Sequence, residues 1–231
     1  LREVFSNVAD QIRIGELIRS GHLVPPRTFV IDVGVRDDLA KVRKTASDFD
    51  MSEVERIMNR APVMDAIIRH WKEKAAGRQT VVFCSTVDHA RSATDAFNEA
   101  GVAAVLVHGE MADGERQAAL AAYAAGDVQV VVNVAVLTEG WDHPPTSCVV
   151  LLRPSSYKST MIQMVGRGLR TVDPNEHPGV VKTDCVVLDF GTASLMHGSL
   201  EQEVDLAGHE ASGEAPTKCC PQCEADIPLG C

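Results

Sequence analysis

Short apolar runs alternate with amphipathic stretches through the middle of the chain. The apolar runs are rich in valine, which is typical of strands buried on both faces of a sheet. The stretches between them repeat apolar positions every three to four residues, which is typical of helices that pack on a sheet. The pattern predicts strands over 80–84, 102–107, 128–134, 148–152 and 185–190, and helices over 87–100, 113–125 and 159–170. We therefore expect an α/β fold, an open and doubly wound parallel sheet with helices on both faces.

The two ends of the chain are less regular. Before Gly77 the pattern predicts a helix over 12–20, a strand over 28–35 and a polar loop or short helix over 37–50. It then predicts a helix from Ser52 towards Lys74 that Pro62 kinks or divides. In the middle of the chain it also predicts a short helical turn over 136–139. From Gly198 the sequence is polar and glycine-rich, which indicates a linker. We predict four segments: 1–50, a hinge with an incoming strand; 51–197, the α/β domain; 198–218, an acidic linker; and 219–231, a cysteine-bearing tail.

Length and composition exclude several classes of protein. The chain has 231 residues, of which 45% are hydrophobic and 23% charged, so it is not intrinsically disordered. It has no apolar run of the 18 or so residues that a membrane helix needs, and no secretory signal sequence. We predict a cytoplasmic protein without membrane contact. The chain lacks an initiator Met, and we expect it to begin inside a longer protein.

The negative charge is unevenly placed. The formal net charge is -10, which by itself gives no support to nucleic-acid binding. From Glu201 onward, however, seven acidic residues accompany Lys218 alone. Most of the excess acidity therefore belongs to the tail, and the body of the protein can still carry a local basic groove.

One helix carries the strongest chemical signal. Gln163, Arg167 and Arg170 follow each other at i, i+4 and i+7 and are expected on one helical face, with Ile162, Val165 and Leu169 facing a core. Two arginines on one stripe suit a triphosphate, although a solvated face with surface ion pairs fits the same spacing. Gly166 and Gly168 each weaken the helix, which close approach of a ligand or of another backbone would explain.

This helix and three upstream segments resemble the motifs of superfamily-two helicases. The helix reads Gln163-Met164-Val165-Gly166-Arg167-Gly168-Leu169-Arg170 and resembles motif six, and Thr138-Glu139-Gly140-Trp141-Asp142 resembles motif five. Residues 80–86 resemble motif four, and residues 107–111 with Glu115 and Arg116 resemble the segment after it. The order and spacing match over residues 77–192. The sequence resembles most the RadD-type DNA-repair helicases, with the helicase subunits of type III restriction enzymes as neighbours.

The resemblance implies the second RecA-like domain of a two-domain, ATP-driven nucleic-acid motor of the DEAD/DEAH type. It implies Arg170 as the arginine finger and Arg167 as its partner at the γ-phosphate. Gln163 would contact the nucleotide or orient the finger. It places Gly140 and Asp142 at the ribose and Gly166 beside the nucleotide, although Asp142 also suits a helix N-cap or a turn. The chain has no G-x-x-x-x-G-K-[ST] loop and no Asp-Glu box. We therefore expect the missing N-terminal RecA-like domain to hold ATP and Mg²⁺, and the fragment alone not to hydrolyse ATP.

The resemblance also implies contacts with nucleic-acid phosphates. These would come from residues that follow predicted strands, namely Ser85, Thr86, His108, Gly109 and Thr138. Thr86 also suits a helix N-cap, and the two roles can coexist. His108 can equally be a solvated loop residue, and Arg153 and Lys158 can add local positive charge. The implied partner is single-stranded or forked DNA, and RNA remains open because phosphate contacts distinguish the two poorly.

The seven cysteines form two groups. Cys84, Cys148 and Cys185 lie in apolar runs and are predicted to be buried thiols. Cys220 and Cys223 form a C-x-x-C pair, and Cys231 follows eight residues later. These three suit part of a zinc site whose fourth ligand lies beyond the chain, with unrelated reactive thiols as the alternative.

Three functions compete on this sequence. The first is the C-terminal motor domain of an ATP-dependent DNA helicase or translocase, which we expect to be inactive as an isolated fragment. The whole protein would serve DNA repair or, alternatively, be a DNA translocase subunit of the restriction-enzyme type. The second is a non-catalytic module that binds nucleic acid or protein and keeps the RecA fold, which the presence of both Arg167 and Arg170 disfavours. The third is a generic nucleotide-binding protein, which the absent phosphate loop disfavours.

Overall fold

A computed structural model describes residues 12–45, 48–138, 140–198, 200, 217–219 and 226–228. The helices in these ranges are α1 Ile14–Arg19, α2 Arg36–Ala40, α3 Met51–Met58, α4 Ala61–Ala75, α5 Val87–Glu99, α6 Asp113–Ala125, α7 Lys158–Leu169 and α8 Ala193–His197. The strands are β1 Pro26–Val30, β2 Thr80–Phe83, β3 Ala104–Val107, β4 Val130–Asn133, β5 Cys148–Leu151, β6 Cys185–Asp189, β7 Thr217–Cys219 and β8 Asp226–Pro228.

Six parallel strands form the main sheet, in the order β1-β6-β5-β2-β4-β3. The four inner strands are buried along their whole length, which explains their uninterrupted apolar sequences. The prediction of a parallel, doubly wound sheet is therefore confirmed. Strands β7 and β8 form a separate antiparallel pair.

Alternate strand residues divide the interior into two cores, one on each face of the sheet. Val82 packs with the buried faces of α3, α4 and α5, whereas Val81 and Phe83 pack with those of α6 and α7. In the first core, Trp71 Nε1 donates a hydrogen bond of 2.9 Å to Thr80 Oγ1, so the buried indole N–H has a partner. Helices therefore cover both faces, as the sequence predicts.

Helices α3 and α4 form separately. The Asp50 carboxylate accepts hydrogen bonds from the backbone N–H groups of Ser52 and Glu53 and so caps the start of α3. Helix α4 begins two residues after α3 ends, with Pro62 in its first turn, where a proline has no helical hydrogen bond to lose. Of the two alternatives left open by the sequence, a division is correct and a kink within one helix is wrong.

Several predicted bounds differ from the observed ones at the chain's first strand. Strand β1 ends at Val30, earlier than predicted, because Asp32 Oδ1 accepts the N–H groups of Gly34 and Val35 and turns the chain. Strand β1 pairs with β6 and so belongs to the same sheet as the strands beyond residue 51. The four segment limits themselves remain predictions.

Two further differences lie at the ends of later strands. Residues 136–138 form a turn and not a regular helix, and Glu139 lies outside the described residues. Helix α8 was not predicted. It starts beside Asp189, whose buried carboxylate accepts hydrogen bonds from the backbone N–H groups of Ala193 and Ser194. Burial raises the pKa of Asp189, and these N–H groups oppose the rise.

Candidate nucleotide and nucleic-acid site

The loops that follow the strands meet at one edge of the sheet, because all six strands are parallel. Ligands of open α/β sheets bind at this edge. Ser85 and Thr86 follow β2, His108 and Gly109 follow β3, and Thr138 lies in the turn after β4, which is the strand between β2 and β3. The structure therefore brings the five predicted phosphate-contacting residues to neighbouring loops.

Thr86 is the N-cap of α5, and its Oγ1 accepts a hydrogen bond from the N–H of His89. The same hydroxyl donates a hydrogen bond of 2.7 Å to Glu55 Oε2, on α3. The Ser85 hydroxyl lies 2.9 Å from His89 Nδ1 and is buried. Burial lowers the pKa of His89 to about 4, so this histidine is neutral at pH 7. Sequence reasoning missed Glu55, because nothing in the spacing pairs it with Thr86.

The loops after β3 and β4 support each other. Val134 N donates to Val107 O over 3.4 Å, and a Cβ placed on Gly109 would lie 3.8 Å from Val136. The side chain of Asn133 holds the turn from inside, because its Oδ1 accepts the N–H of Leu137 over 3.3 Å. His108 is half-buried and Gly109 is exposed, so the loop after β3 is accessible to solvent at Gly109.

Ala135 marks the start of this turn with a left-handed backbone conformation, φ +61°. Such a conformation costs an L-residue roughly 1–2 kcal/mol. Three residues later, Thr138 N donates to Ala135 O over 3.4 Å and closes the turn. The strained residue therefore directs the chain towards residues 138–142.

Arg167 joins this turn to helix α7. Its guanidinium donates to the carbonyl oxygen of Thr138, with Nε at 3.1 Å, and to the carbonyl oxygen of Trp141, with Nη1 at 2.6 Å. Arg170 forms an ion pair with Asp142. The structure thus brings Thr138, Asp142, Arg167 and Arg170 together, and the Trp141 carbonyl is a contact that no sequence signal indicated.

Arg170 does not continue the helical face. It is the C-cap of α7, with extended backbone angles, and forms an isolated bridge with Leu23. Val24 N also donates to Leu169 O over 2.8 Å. The i, i+4 relation of Gln163 and Arg167 holds within α7, but the i+7 extension to Arg170 is wrong because pairing with the incoming chain ends the helix. Gln163 is exposed on α7.

The two glycines of α7 have different surroundings. A Cβ on Gly168 would lie 2.4 Å from Cys185 Sγ and 2.6 Å from Val149 Cγ2, so this glycine allows the helix to pack closely on β5 and β6. A Cβ on Gly166 would meet nothing within 4 Å. Close approach of a ligand is therefore the wrong explanation for Gly168, while Gly166 leaves open space beside Arg167.

Gly140 and Asp142 occupy the exposed part of the segment that crosses from β4 to β5. Gly140 has φ +72°, and the Asp142 side chain is 54% exposed opposite Arg170, which is 40% exposed. Glu139 lies outside the described residues. The described residues that directly follow Asp142 form no helix, so the N-cap alternative for Asp142 is wrong.

A lysine and a histidine hold the end of the same segment. Lys182 Nζ donates to Pro144 O over 2.6 Å, and burial, with further repulsion from Arg170 and Arg78, lowers the pKa of Lys182 to about 8. His143 Nε2 lies 3.0 Å from Gln79 Oε1, and burial lowers the pKa of His143 to about 4. These contacts fix the chain that follows Asp142.

The loop after β5 is rigidly held at the carboxyl edge. Arg153 pairs with Asp48, and Ser156 N donates to Asp48 Oδ1 over 2.8 Å. Burial lowers the pKa of Arg153, and Asp48 opposes that effect. The charge of Arg153 is therefore neutralised locally and adds little positive potential to the edge.

The predicted zinc ligands Cys220, Cys223 and Cys231 lie outside the described residues. Within the described ranges no group of three or more His, Cys, Asp or Glu side chains is arranged to hold a metal ion. Cys84, Cys148 and Cys185 are buried and free, as predicted, and burial raises the pKa of Cys185 to about 12. None of the described helices is both long and apolar enough to cross a membrane.

Residues 60–172 match the family profile described as the helicase conserved C-terminal domain. The match contains α7 and the turn that Arg167 contacts. This part of the chain is a superfamily-two helicase C-terminal domain. The six-stranded sheet of the chain, of which β2 to β5 lie in this part, is the RecA-like fold, and the motif resemblance noted in the sequence is confirmed at the level of the superfamily.

Two fungal relatives are similar to much of this chain. A protein of Schizosaccharomyces pombe, provisionally named as a mitochondrial ATP-dependent helicase, irc3, is 34% identical over 194 residues, which are 84% of this chain and 30% of the relative. A protein of Saccharomyces cerevisiae, provisionally named ATP-dependent helicase IRC3, is 30% identical over 165 residues, or 70% of this chain and 23% of the relative. The chain therefore spans about a quarter to a third of the length of these relatives.

One solved structure shares the fold over most of the chain. A fragment provisionally assigned as the HsdR subunit of a type I restriction enzyme from Vibrio vulnificus YJ016 superposes with a TM-score of 0.64 at 20% identity. The superposition covers 86% of this chain and 38% of the other. At this identity the likeness concerns the fold alone.

Proposed function

We propose that this domain is the C-terminal half of an ATP-dependent DNA helicase or translocase. The observation that carries the proposal is the pair of contacts from α7 to the segment 138–142, through Arg167 and Arg170. These contacts join the half-buried Arg167 and the ion-paired Arg170 to the segment that also carries Thr138, at the loop edge of the sheet. A nucleic-acid motor needs a structural connection between the site that contacts the nucleotide and the site that contacts the nucleic-acid strand.

In this proposal Arg170 leaves Asp142 and turns to the γ-phosphate of ATP. Charge develops on the phosphoryl group during transfer, and a fixed guanidinium stabilises it; an arginine finger contributes roughly 10³–10⁵ in rate in well-measured systems. Arg167 is largely engaged by two backbone carbonyls, so we assign it the positioning of residues 138–141 as well as a γ-phosphate contact. Gln163 and Gly166 would line the same face of α7.

Gly140 and Asp142 would meet the ribose. The exposure of both residues and the absence of any atom within 4 Å of a Cβ on Gly140 support this assignment. ATP and Mg²⁺ would be held mainly by an N-terminal RecA-like domain. Mg²⁺ supplies charge neutralisation at the β- and γ-phosphates when bound, and we assign none of its ligands to this chain.

The nucleic-acid strand would cross the edge formed by Ser85, Thr86, His108, Gly109 and Thr138. The 13-residue helix α5 directs its N-terminus to this edge, which favours a phosphate. The Thr86 hydroxyl can donate to a phosphate only after it gives up its hydrogen bond to Glu55, so we expect Thr86 to contribute less to phosphate binding than a residue without such a partner. The buried Ser85 hydroxyl already has a partner, so we expect backbone contact there. The choice of single-stranded or forked DNA, and a role in DNA repair, rest on the sequence resemblance; RNA is the alternative substrate.

The tail supports a separate proposal, that Cys220, Cys223 and Cys231 bind zinc together with a fourth ligand. The support is the C-x-x-C spacing alone. Metal analysis of the full-length protein should find about one zinc per chain, and a value well below one would contradict the proposal. Cytoplasmic location likewise remains a prediction, since the Schizosaccharomyces pombe relative bears a mitochondrial name.

The test is ATP hydrolysis by the full-length protein, with and without a single-stranded oligonucleotide, for wild type, Arg170→Ala and the surface control Arg91→Ala. We expect the oligonucleotide to stimulate wild type and the control but not Arg170→Ala. Oligonucleotide binding without any hydrolysis by wild type would instead favour a non-catalytic binding module. The isolated chain should not hydrolyse ATP under any of these conditions.

A further inference from the structure

A cavity of about 330 Å³ lies between helices α2 and α3. Its volume is at the lower end of the range for ligand pockets. All its lining residues except Arg60 precede the part of the chain that matches the family profile. Five charged side chains line it above an apolar floor, namely Asp38, Lys41, Glu53, Arg56 and Arg60.

The two carboxylates of the cavity already have cationic partners. Asp38 pairs with Arg60 at 3.0 Å. Glu53 uses both oxygens on Arg43, which donates its Nε over 2.8 Å and its backbone N–H over 3.1 Å. Arg43 pairs with Asp50 as well. Arg60 therefore engages Asp38, and Arg43 is shared between Glu53 and Asp50, so none of these ion pairs involves Lys41 or Arg56.

Lys41 and Arg56 are the two basic side chains of the cavity that form none of these ion pairs. Both are exposed. Arg56 donates its Nε to Ser52 O over 3.4 Å, at the limit of a hydrogen bond, and the side chain of Lys41 forms no ion pair or hydrogen bond with any described residue. The cavity therefore presents two cationic side chains that form no direct ion pair with a carboxylate of the described residues.

The cavity is next to the proposed nucleic-acid edge. Glu55, the residue before Arg56, is hydrogen bonded to Thr86. Helix α3 has eight residues and so is only about 12 Å long. Arg56, the next residue of α3, therefore lies near Thr86, and Lys41 lines the same cavity as Arg56.

We propose that this α2–α3 cavity binds a phosphate group, contributed by the backbone of the nucleic acid. The inference rests on the proposed function, because it extends the contact edge from Thr86 onto α3. Lys41 and Arg56 supply the charge, and Arg60 forms the wall. Such contacts position a strand without reading its sequence, so binding here should be independent of base composition.

The test measures binding of a fluorescein-labelled dT20 oligonucleotide to the full-length protein by fluorescence anisotropy over a range of KCl concentrations. Each phosphate contact to a single strand contributes about 0.7 to the slope of log K against log salt. The variant K41A/R56A should therefore flatten the slope by up to about 1.4 and weaken binding by roughly 5- to 25-fold at 0.1 M salt. The control Arg69→Ala removes an exposed charge from α4 and should leave the slope unchanged.

A second arm identifies the source of the phosphate. Inorganic phosphate is titrated against thermal unfolding of wild type and K41A/R56A. A phosphate-dependent shift that only wild type shows, with an unchanged oligonucleotide slope, would support the cavity and assign it to free phosphate. An unchanged slope with no difference in the phosphate titration would overturn the inference while oligonucleotide binding stands. Failure of wild type to bind the oligonucleotide at all would instead contradict the proposed function.

Discussion

Replacing Gly168 by alanine tests how closely α7 packs on the sheet. The added Cβ would lie 2.4 Å from Cys185 Sγ and 2.6 Å from Val149 Cγ2, about 1 Å inside ordinary contact distance. Both neighbours are fully buried on strands and have little freedom to move. Overpacking of this kind costs about 1–3 kcal/mol, and the gain in helix propensity returns about 1 kcal/mol. Because both contacts lie far inside ordinary contact distance, we take the upper end of that cost and expect Gly168→Ala to lower the free energy of unfolding by about 2 kcal/mol.

The matched control is Gly166→Ala in the same helix. Its Cβ would meet no atom within 4 Å, so only the propensity term applies and the variant should gain up to about 1 kcal/mol. Urea unfolding followed by circular dichroism measures both variants, and thermal unfolding should place Gly168→Ala about 4–8 °C below wild type for a chain of this size. Equal stability of the two variants would refute the packing argument.

Three further predictions concern the loop edge and its support. Glu55→Gln removes the carboxylate that Thr86 contacts, so oligonucleotide affinity should rise roughly two- to five-fold at low salt; lower affinity would show that Glu55 assists binding. Because burial holds the folded pKa of His89 at about 4, below the unfolded value, only the unfolded state gains this proton between pH 6.5 and 4. This histidine should therefore lower the free energy of unfolding by about 3 kcal/mol between pH 6.5 and pH 4, which urea unfolding at both pH values measures. The variant His89→Gln should lose this part of the pH dependence. A variant that keeps the wild-type pH dependence would contradict the low folded pKa of His89. Ala135→Gly relieves a left-handed backbone and should raise the unfolding free energy by about 0.5–1 kcal/mol in the same assay, whereas a destabilised variant would show that its φ is not strained.

The sheet could be predicted from the sequence because burial on both faces leaves a direct trace in the chain. Residues 80–83 and 130–133 are apolar almost throughout, and each forms a buried inner strand. The amphipathic pattern of α7 likewise predicts its buried face, where Val165 and Leu169 pack in the core. These features depend on local sequence and burial, and they were predictable.

The details of the site depend on contacts between distant parts of the chain. Helix α7 ends before Arg170 because residues 23 and 24 pair with residues 169 and 170. Nothing in the sequence around residue 170 predicts this pairing. Glu55 contacts Thr86 across 31 positions of sequence. The left-handed conformation of Ala135 was equally hidden, since alanine is not the residue that such a conformation favours.

The central claim is that Arg170 acts on ATP during hydrolysis. The most direct measurement is the pair of constants kcat and KM for ATP of the full-length protein at saturating oligonucleotide, compared between wild type, Arg170→Ala and Arg170→Lys. The account predicts that kcat falls at least about 100-fold in Arg170→Ala while KM changes little, and that lysine restores little of the loss because it lacks the planar fork. A variant that keeps the wild-type kcat would contradict the claim and leave the Arg170–Asp142 pair as a structural contact alone.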